Sequence, residues 1–389
     1  MREVPAVSAF VSAMLAGLFL LAPAVAQELS DQADSIRPVD SLRQNAVERA
    51  GLIFSDGRFS LAHASTLVET SEGVVAAWYA RTGPDQPTSI WSARFDGRIW
   101  SFPRKVADGR VENGATHSCW NPVLFQPAGG PVLLFYRVGP SPREWIGVVR
   151  VSADGGVTWS EEVRLPKGFL GPIRTKPVQL ADKAIVMGSS TEHDGWVSHV
   201  ERFVFPDQSR RTPVDTWTRR LADPDAWSKT GPIHRLRDFA AIQPALVVHE
   251  KEVLQLLART KQGIVSESWS SDGGRTWSPM VSSGLPNPNA GIDALRLSDG
   301  RYLIVLNPQA AGRNRLAVWL SNDGLTWQVA MTLEAGEDEF SYPAVIQTAD
   351  RSIHIAYSWK QRWIKHVQID PDLLLPEKQP TTADFEALK

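Results

Sequence analysis

The chain has 389 residues, and its 41 Lys+Arg nearly balance 43 Asp+Glu, for a net charge of −2. That balance argues against nucleic acid as a partner, while 43 % hydrophobic and 22 % charged residues are the make-up of a packed globular protein. A single cysteine, Cys119, excludes an internal disulfide and a paired-cysteine metal knuckle, so an apolar core has to hold the fold.

The first predicted element is an export signal. Arg2 gives a positive start, Ala9 to Ala22 is apolar, and Ala24-Val25-Ala26 offers a small-x-small cleavage site before Gln27. Residues 1–26 are therefore read as a signal peptide, and the remaining 363 as secreted or periplasmic. The apolar stretch is too short to span a bilayer, and no later run approaches ~18 residues, so no membrane span is expected. No cysteine follows the cleavage site to carry a lipid. Residues 27–50 are polar without strand periodicity and read as an N-terminal leader.

From 51 to 372 the chain repeats itself. Ser152-Ala-Asp154-Gly-Gly156-Val-Thr158-Trp159 matches Ser270-Ser-Asp272-Gly-Gly274-Arg-Thr276-Trp277, and Ser321-Asn-Asp323-Gly324-Leu-Thr326-Trp327 is one residue shorter. Asp96-Gly97-Arg-Ile-Trp100 is a degenerate copy, and Thr216-Trp217 reads as the remnant of a fifth. The tryptophans at 100, 159, 217, 277 and 327 stand 59, 58, 60 and 50 residues apart. A period near ~60 suits a four-stranded propeller blade with its loops, and the mature length holds about six. Six segments of apolar strand, tight turn and apolar strand agree with that count. They open at His63, Asn121, Lys176, Gln243, Asp293 and Tyr342, and proline follows the opener in four. Their near-continuous apolar runs are those of strands covered on both faces, and no long amphipathic helical pattern competes. Within the boxes, Ser and Asp are expected to close a turn and Trp to pack between blades. An Asp-x-Gly calcium loop is the sharper alternative, but the boxes lack the further carboxylates of an EF-hand. The expected fold is all-β, a six-bladed β-propeller of four-stranded antiparallel blades over 51–372, with 373–389 as a C-terminal tail.

The repeated S-x-D-x-G-x-T-W box resembles the Asp-box, or BNR, repeat of the sialidase (neuraminidase) superfamily, whose fold is a six-bladed β-propeller. The resemblance covers most of residues 50–370 and is more specific for fold than for reaction.

In a propeller, the inner-strand openers and the loops between second and third strands share one face. The openers form a polar ring of His63, Asn121, Lys176, Gln243, Asp293 and Tyr342. The loops add Arg81, Asp85, Arg143, Glu144, Glu192, His193, Arg259, Arg313, Arg315 and Arg362. So many cations on one face suit an anionic ligand, since Arg presents a fixed fork to a carboxylate. The bland reading of any one opener is a polar residue facing a wet channel. His249 and His354 fall away from this face and read as structural, and Glu161 and Glu162 as solvated surface. His193, Asp194 and His199 match no zinc spacing. No cofactor is expected, and a structural calcium ion is left open.

Sialidases use a Tyr nucleophile, a Glu that polarises it, an Asp acid/base and three Arg that hold the substrate carboxylate. The resemblance implies Tyr342 as nucleophile, Asp85 as acid/base, Arg259 as the second Arg and Arg313, in preference to Arg315, as the third. Two positions depart from the pattern. His63-Ala64-Ser65 stands where the family has Arg-Ile-Pro, and Gln243 stands near the position of the Glu. Glu339 and Glu192 are the carboxylates that could stand in for it. Lys176, Arg259 and Arg313, with Asn121, Asp293, Arg81 and Glu192, are the expected binding groups for an acidic carbohydrate.

Three functions follow. The first is an exo-acting glycoside hydrolase that removes a terminal acidic sugar with Tyr342 and Asp85. The second is a polysaccharide lyase in which cations neutralise a uronate while His63 or Tyr342 takes the neighbouring proton. The third is a non-catalytic glycan-binding propeller, with Trp120, Trp145, Trp196 or Trp359 stacking on sugar rings. Oligomeric state is not legible.

Overall fold

A computed structural model describes residues 44–110, 114–205 and 212–376. The predicted signal peptide, most of the leader and most of the tail lie outside the described residues. The described chain forms six four-stranded antiparallel sheets, a six-bladed β-propeller. Strand β1 is Val47–Leu52. Blade 1 holds β2 (Leu61–Thr70), β3 (Gly73–Arg81), β4 (Ser89–Phe95) and β5 (Arg104–Ala107). Blade 2 holds β6 (Cys119–Phe125), β7 (Val132–Val138), β8 (Ile146–Ser152) and β9 (Val163–Arg164). Blade 3 holds β10 (Val178–Gln179), β11 (Ile185–Thr191), β12 (Val197–Phe203) and β13 (Trp227–Lys229). Blade 4 holds β14 (Ala241–Val248), β15 (Leu254–Thr260), β16 (Ile264–Ser270) and β17 (Val281–Pro286). Blade 5 holds β18 (Asp293–Arg296), β19 (Tyr302–Leu306), β20 (Arg315–Ser321) and β21 (Gln328–Ala335). Blade 6 holds β22 (Phe340–Gln347), β23 (Ile353–Trp359) and β24 (Trp363–Ile369), and β1 pairs antiparallel with β24 as its fourth strand.

That pairing closes the ring with a strand drawn from the other end of the chain. Four residues of the expected leader, 47–50, therefore belong to a blade. The expected tail is also partly tied down, since Arg301 donates to the carbonyls of Leu374 at 2.6 Å and Pro371 at 2.7 Å.

The apolar cores lie between neighbouring blades. One joins Ala344, Ile346, Ala356 and Ile364 of blade 6 to Val74, Ala76, Trp78 and Phe95 of blade 1. Another joins Val123, Leu133 and Phe135 of blade 2 to Ile185, Met187 and Phe203 of blade 3. The unbroken apolar runs of the second strands follow from this, because both faces of each sheet meet another sheet.

The boxes are turn staples between third and fourth strands. Ser152 Oγ donates to Asp154 at 2.7 Å and accepts the Gly156 N–H at 2.8 Å, while Asp154 accepts the Thr158 N–H at 2.9 Å. Asp272 and Asp323 repeat these bonds, so box carboxylates are spent on the backbone and on hydroxyls. Blade 6 has no such turn, because its fourth strand comes from the N-terminal side. The remnant expected at Trp217 is not a box. Trp217 lies in helix α1 (Val214–Ala222), where it and Leu221, one turn on, are buried. This short helix, inserted before β13, was not expected, because two apolar positions make too weak a period to stand out.

Three buried imidazoles set an acid limit on the fold. Burial pushes His199 and His354 down to about 4 and His366 to about 3, from an ordinary value near 6.5. His354 Nδ1 and His366 Nε2 are 2.9 Å apart, and the rings stack at 5.2 Å. The unfolded chain takes up these protons below about pH 6.5, whereas the folded chain resists until about pH 4. Stability present above about pH 6.5 is therefore lost as pH falls through that window. Calorimetry should show Tm dropping by several degrees from neutrality to about pH 4.5, with a shallower slope in a His354→Asn/His366→Asn variant. A flat profile would contradict the assignment of these rings as buried and neutral.

Candidate active site

Four inner strands break their ladder at the same place. The register shifts between His63 and Thr66 in β2, Trp120 and Val123 in β6, Ile242 and Ala245 in β14, and Ser341 and Ala344 in β22. In each bulge one residue takes a left-handed backbone: Ala64 (φ 54°), Asn121 (φ 44°), Gln243 (φ 54°) and Tyr342 (φ 56°). For a side-chain-bearing residue such a conformation costs on the order of 1–3 kcal/mol, and bulges of this kind re-aim side chains. Proline follows three of them. It has no N–H to lose where the ladder is already broken. In blade 1 the residue equivalent to Tyr342 is Ala64, so the expected ring position of His63 is corrected by one residue.

Tyr342 is the centre of the group that results. Arg259 Nη1 donates to its phenol oxygen at 2.6 Å. The guanidinium carbons of Arg259, Arg174 and Arg313 lie 5.3, 5.4 and 5.5 Å from its ring centre. His63 packs on the same ring with centroids 4.3 Å apart, and Tyr79 lies 5.7 Å beyond His63. Gly291 forms part of the wall, for a Cβ there would stand 3.3 Å from the Tyr342 ring and 3.4 Å from Arg174 Nε.

Each arginine is held differently. Arg313 bonds Glu339 at 3.1 Å and the Asn289 carbonyl at 2.8 Å, and Glu339 also accepts from Ser341 at 2.6 Å and Gln361 at 2.5 Å. Arg259 lies against Trp196, whose ring centre is 5.2 Å from its guanidinium carbon. Arg174 is buried and donates to the carbonyls of Ser65, at 3.4 Å, and Pro343, tying together the inner strands of blades 1 and 6. Sequence reasoning missed Arg174. It sits two residues before Lys176, in a segment where β10 pairs over only Val178 and Gln179, so no alternation marks which side chain turns inward.

The arginines dominate the electrostatics. Burial raises the Tyr342 phenol, but the charges of Arg259 and Arg313, the bond from Arg259 and the charge of Arg174 outweigh it, and the net shift is downward. Burial and the same three arginines hold His63 well below its usual value against the opposing pull of Glu339, so it is neutral at pH 7. Its Nδ1 is buried with no partner among the described residues. Tyr79 moves upward, from burial first and then from Tyr342 and Glu339. Glu339 is lowered, because bonds from Ser341 and Gln361 and the charge of Arg313 exceed its desolvation.

The remaining expected residues divide. Lys176 and Asp293 are corrected as free ligand groups: Lys176 Nζ lies 3.0 Å from both Asp293 oxygens and from the Ala294 carbonyl. Asp293 also accepts the Val345 N–H at 2.9 Å, and Lys176 lines the cavity at the opposite, turn-side mouth with Glu69 and Gln126. This pair braces the channel and leaves little charge for a substrate. Asn121 and Gln243 are buried, with Arg137 donating to the Asn121 carbonyl at 3.1 Å and Ser190 accepting the Gln243 N–H at 3.2 Å. The Gln243 Oε1 is unpartnered among the described residues. Arg81 ends β3, and Asp85 lies on the exposed turn beyond it; among the described residues no hydrogen bond or ion pair joins either to Tyr342. Arg315 points away, to Thr332 at 3.2 Å. Glu192 is half-buried beside Trp196, whose side chain hydrogen-bonds its carboxylate; burial raises it despite the charge of Arg259.

Comparison with known proteins agrees with the fold. A model of the BNR repeat-like domain matches residues 72–355. The Hadza microbial sialidase superposes with TM-score 0.68 at 16 % identity, covering 84 % of this chain and 69 % of that one. The intramolecular trans-sialidase from Ruminococcus gnavus gives 0.62 at 13 %, covering 84 % and 98 %. A protein of unknown function from Dyadobacter fermentans gives 0.65 at 15 %, covering 83 % and 98 %. No curated protein matches the sequence.

Tyr342 should ionise before Tyr79, Tyr136 and Tyr357, which burial raises, when phenolate absorbance is followed against pH. Arg259→Met should shift that step upward, and an unchanged titration would deny Arg259 its part in acidifying the phenol.

Proposed function

The chain belongs to the BNR repeat-like family, and from that premise we propose that it is an exported, sialidase-like exo-glycosidase removing a terminal acidic sugar from a glycan. The observation that carries this reading is the 2.6 Å bond from Arg259 to the Tyr342 phenol, inside a ring of three guanidiniums. Among glycosidases a Tyr nucleophile is the sialidase exception. Its use has a physical reason: a carboxylate on the anomeric carbon repels an attacking Asp or Glu, whereas a phenol meets no such barrier. The structural neighbours named as sialidases support the same assignment by fold.

In this mechanism Arg259 and Arg313 grip the sugar carboxylate, each replacing part of its present bonding with the bidentate fork that suits a carboxylate. Tyr342 Oη forms a bond to the anomeric carbon as the glycosidic C–O bond breaks. Asp85, carried in by its loop, gives its proton to the leaving oxygen, and His63 takes the phenol proton. Water then cleaves the tyrosyl intermediate, with Asp85 as base. The substrate carboxylate has a second effect. It offsets the arginine charge that adds to burial in depressing His63, so the imidazole becomes a stronger base when the sugar is seated. His63 thus stands in for the family Glu that Gln243 cannot replace.

A uronate lyase is the second reading, favoured by the neutral His63 with its unpartnered Nδ1 beside Tyr342. Its product is unsaturated and absorbs in the ultraviolet, whereas a hydrolysis product does not. A panel of aryl and oligosaccharide glycosides of acidic sugars, assayed for both reducing ends and ultraviolet absorbance, separates the two. The hydrolase reading expects reducing ends without absorbance, no turnover in Tyr342→Phe, and a loss of about a hundredfold or more in Asp85→Asn. Full activity in both variants removes the mechanism.

A further inference from the structure

The face that carries Tyr342 has a second concavity, between blades 2 and 3. Its volume is about 390 Å³, and its walls come from the β7–β8 loop, the segment between β9 and β10, and the β11–β12 loop. That is small for a ligand pocket but enough for one sugar unit. On the proposed reading that this face binds an acidic sugar at Tyr342, we propose that the blade 2–3 cleft is a second subsite, which binds a further anionic sugar unit of the same glycan.

Its charge is the first argument. Arg143, Lys167 and Lys229 line the cleft against one carboxylate, Glu192. Arg143 and Lys167 are exposed, and among the described residues neither makes an ion pair. Lys229 is turned in, donates to the Gly168 carbonyl at 3.2 Å and lies 3.7 Å from the buried carboxylate of Glu201, so its charge is already paired. Arg143 and Lys167 together, in a recess of a chain whose net charge is −2, attract a carboxylate or a sulfate.

Its apolar surface is the second. Ile146 is 40 % exposed at the rim although it begins a strand, and Trp145 lines the cleft beside it. A hydrophobic wall opposite cations suits a sugar ring, which offers an apolar face and polar edges.

Its rigidity is the third. Glu201, fully buried beneath, accepts the N–H groups of Leu170 at 3.1 Å and Gly171 at 2.7 Å and so pins the inner wall. Gly147 lets that wall approach, since a Cβ there would lie 2.8 Å from Leu170 Cα. A recess fixed in this way spends little entropy on ordering when it binds.

Glu192 links the two sites. It lines the cleft, and the Trp196 that hydrogen-bonds it also packs on Arg259, the donor to Tyr342. One glycan chain can therefore run from the Tyr342 group across Trp196 into the cleft.

The test is calorimetric binding of a hyaluronan disaccharide, lactose sulfate and lactose to the full protein, an Arg143→Ala/Lys167→Ala variant and Tyr342→Phe. The expected result is binding of one or both anionic disaccharides, none of lactose, a loss of tenfold or more in the double variant, and no change in Tyr342→Phe. Which anion binds distinguishes a uronate from a sulfated unit. Failure of both anions to bind, or binding that the double variant leaves intact, overturns the subsite. Loss confined to Tyr342→Phe would also overturn it, because the ligand would then sit at the first site. Because this readout needs no turnover, a chain that binds but does not cleave would sink the glycosidase reading alone.

Discussion

Three arginines crowded against one half-buried phenol are the constraint from which the rest of this molecule's chemistry follows. Desolvated guanidiniums demand negative charge, and the protein supplies little of it. Glu339 answers Arg313, two backbone carbonyls and the charge of Asp293 answer Arg174, and Arg259 has the oxygen of Tyr342 and the charge of Glu192. The surplus of positive charge lowers the Tyr342 phenol, adds to the burial that keeps His63 unprotonated, and favours an anion beside it. The lowered phenol, the neutral imidazole and the cationic lining thus share one neighbourhood.

That neighbourhood exists only because the ring closes where it does. Arg174 reaches from the entry to blade 3 to the inner strands of the first and last blades, while β1 pairs with β24 at the rim of the same sheet. Weakening the closure would loosen the backbone that fixes Tyr342 in its left-handed bulge. The bulge in turn lifts the phenol out of the ladder and toward the guanidiniums. Stability and site geometry meet in the same few residues, as they do where backbone strain is retained at a functional centre.

The departures from the sialidase pattern form one substitution. Replacing the first Arg by His63 removes a charge from the blade 1 side, and Gln243 removes an opposite charge from the blade 4 side. The pair of changes leaves the balance at the Tyr342 group cationic and sets a neutral imidazole against the Tyr342 ring. The ion pair of Lys176 with Asp293 stays apart from this exchange and braces the channel below.

The architecture was legible in the linear chain. Box spacing counted the blades, apolar runs marked the second strands, and an X-Pro opener marked three of the four bulges. These are local signals, because a turn staple or a ladder break is written in adjacent residues. Tyr342, Arg259 and Arg313 could also be named from position within a repeat. Arg174, the pairing of Lys176 with Asp293, the one-residue offset at Ala64 and the helix at Trp217 could not. Each depends on which side chains from distant blades arrive at the same point in the channel, or on an insertion that breaks the period. Electrostatic character, above all, is settled only there, since a phenol or an imidazole has no shifted proton affinity until folding buries it among charges that are distant in sequence, as Arg259 and Arg174 are from Tyr342.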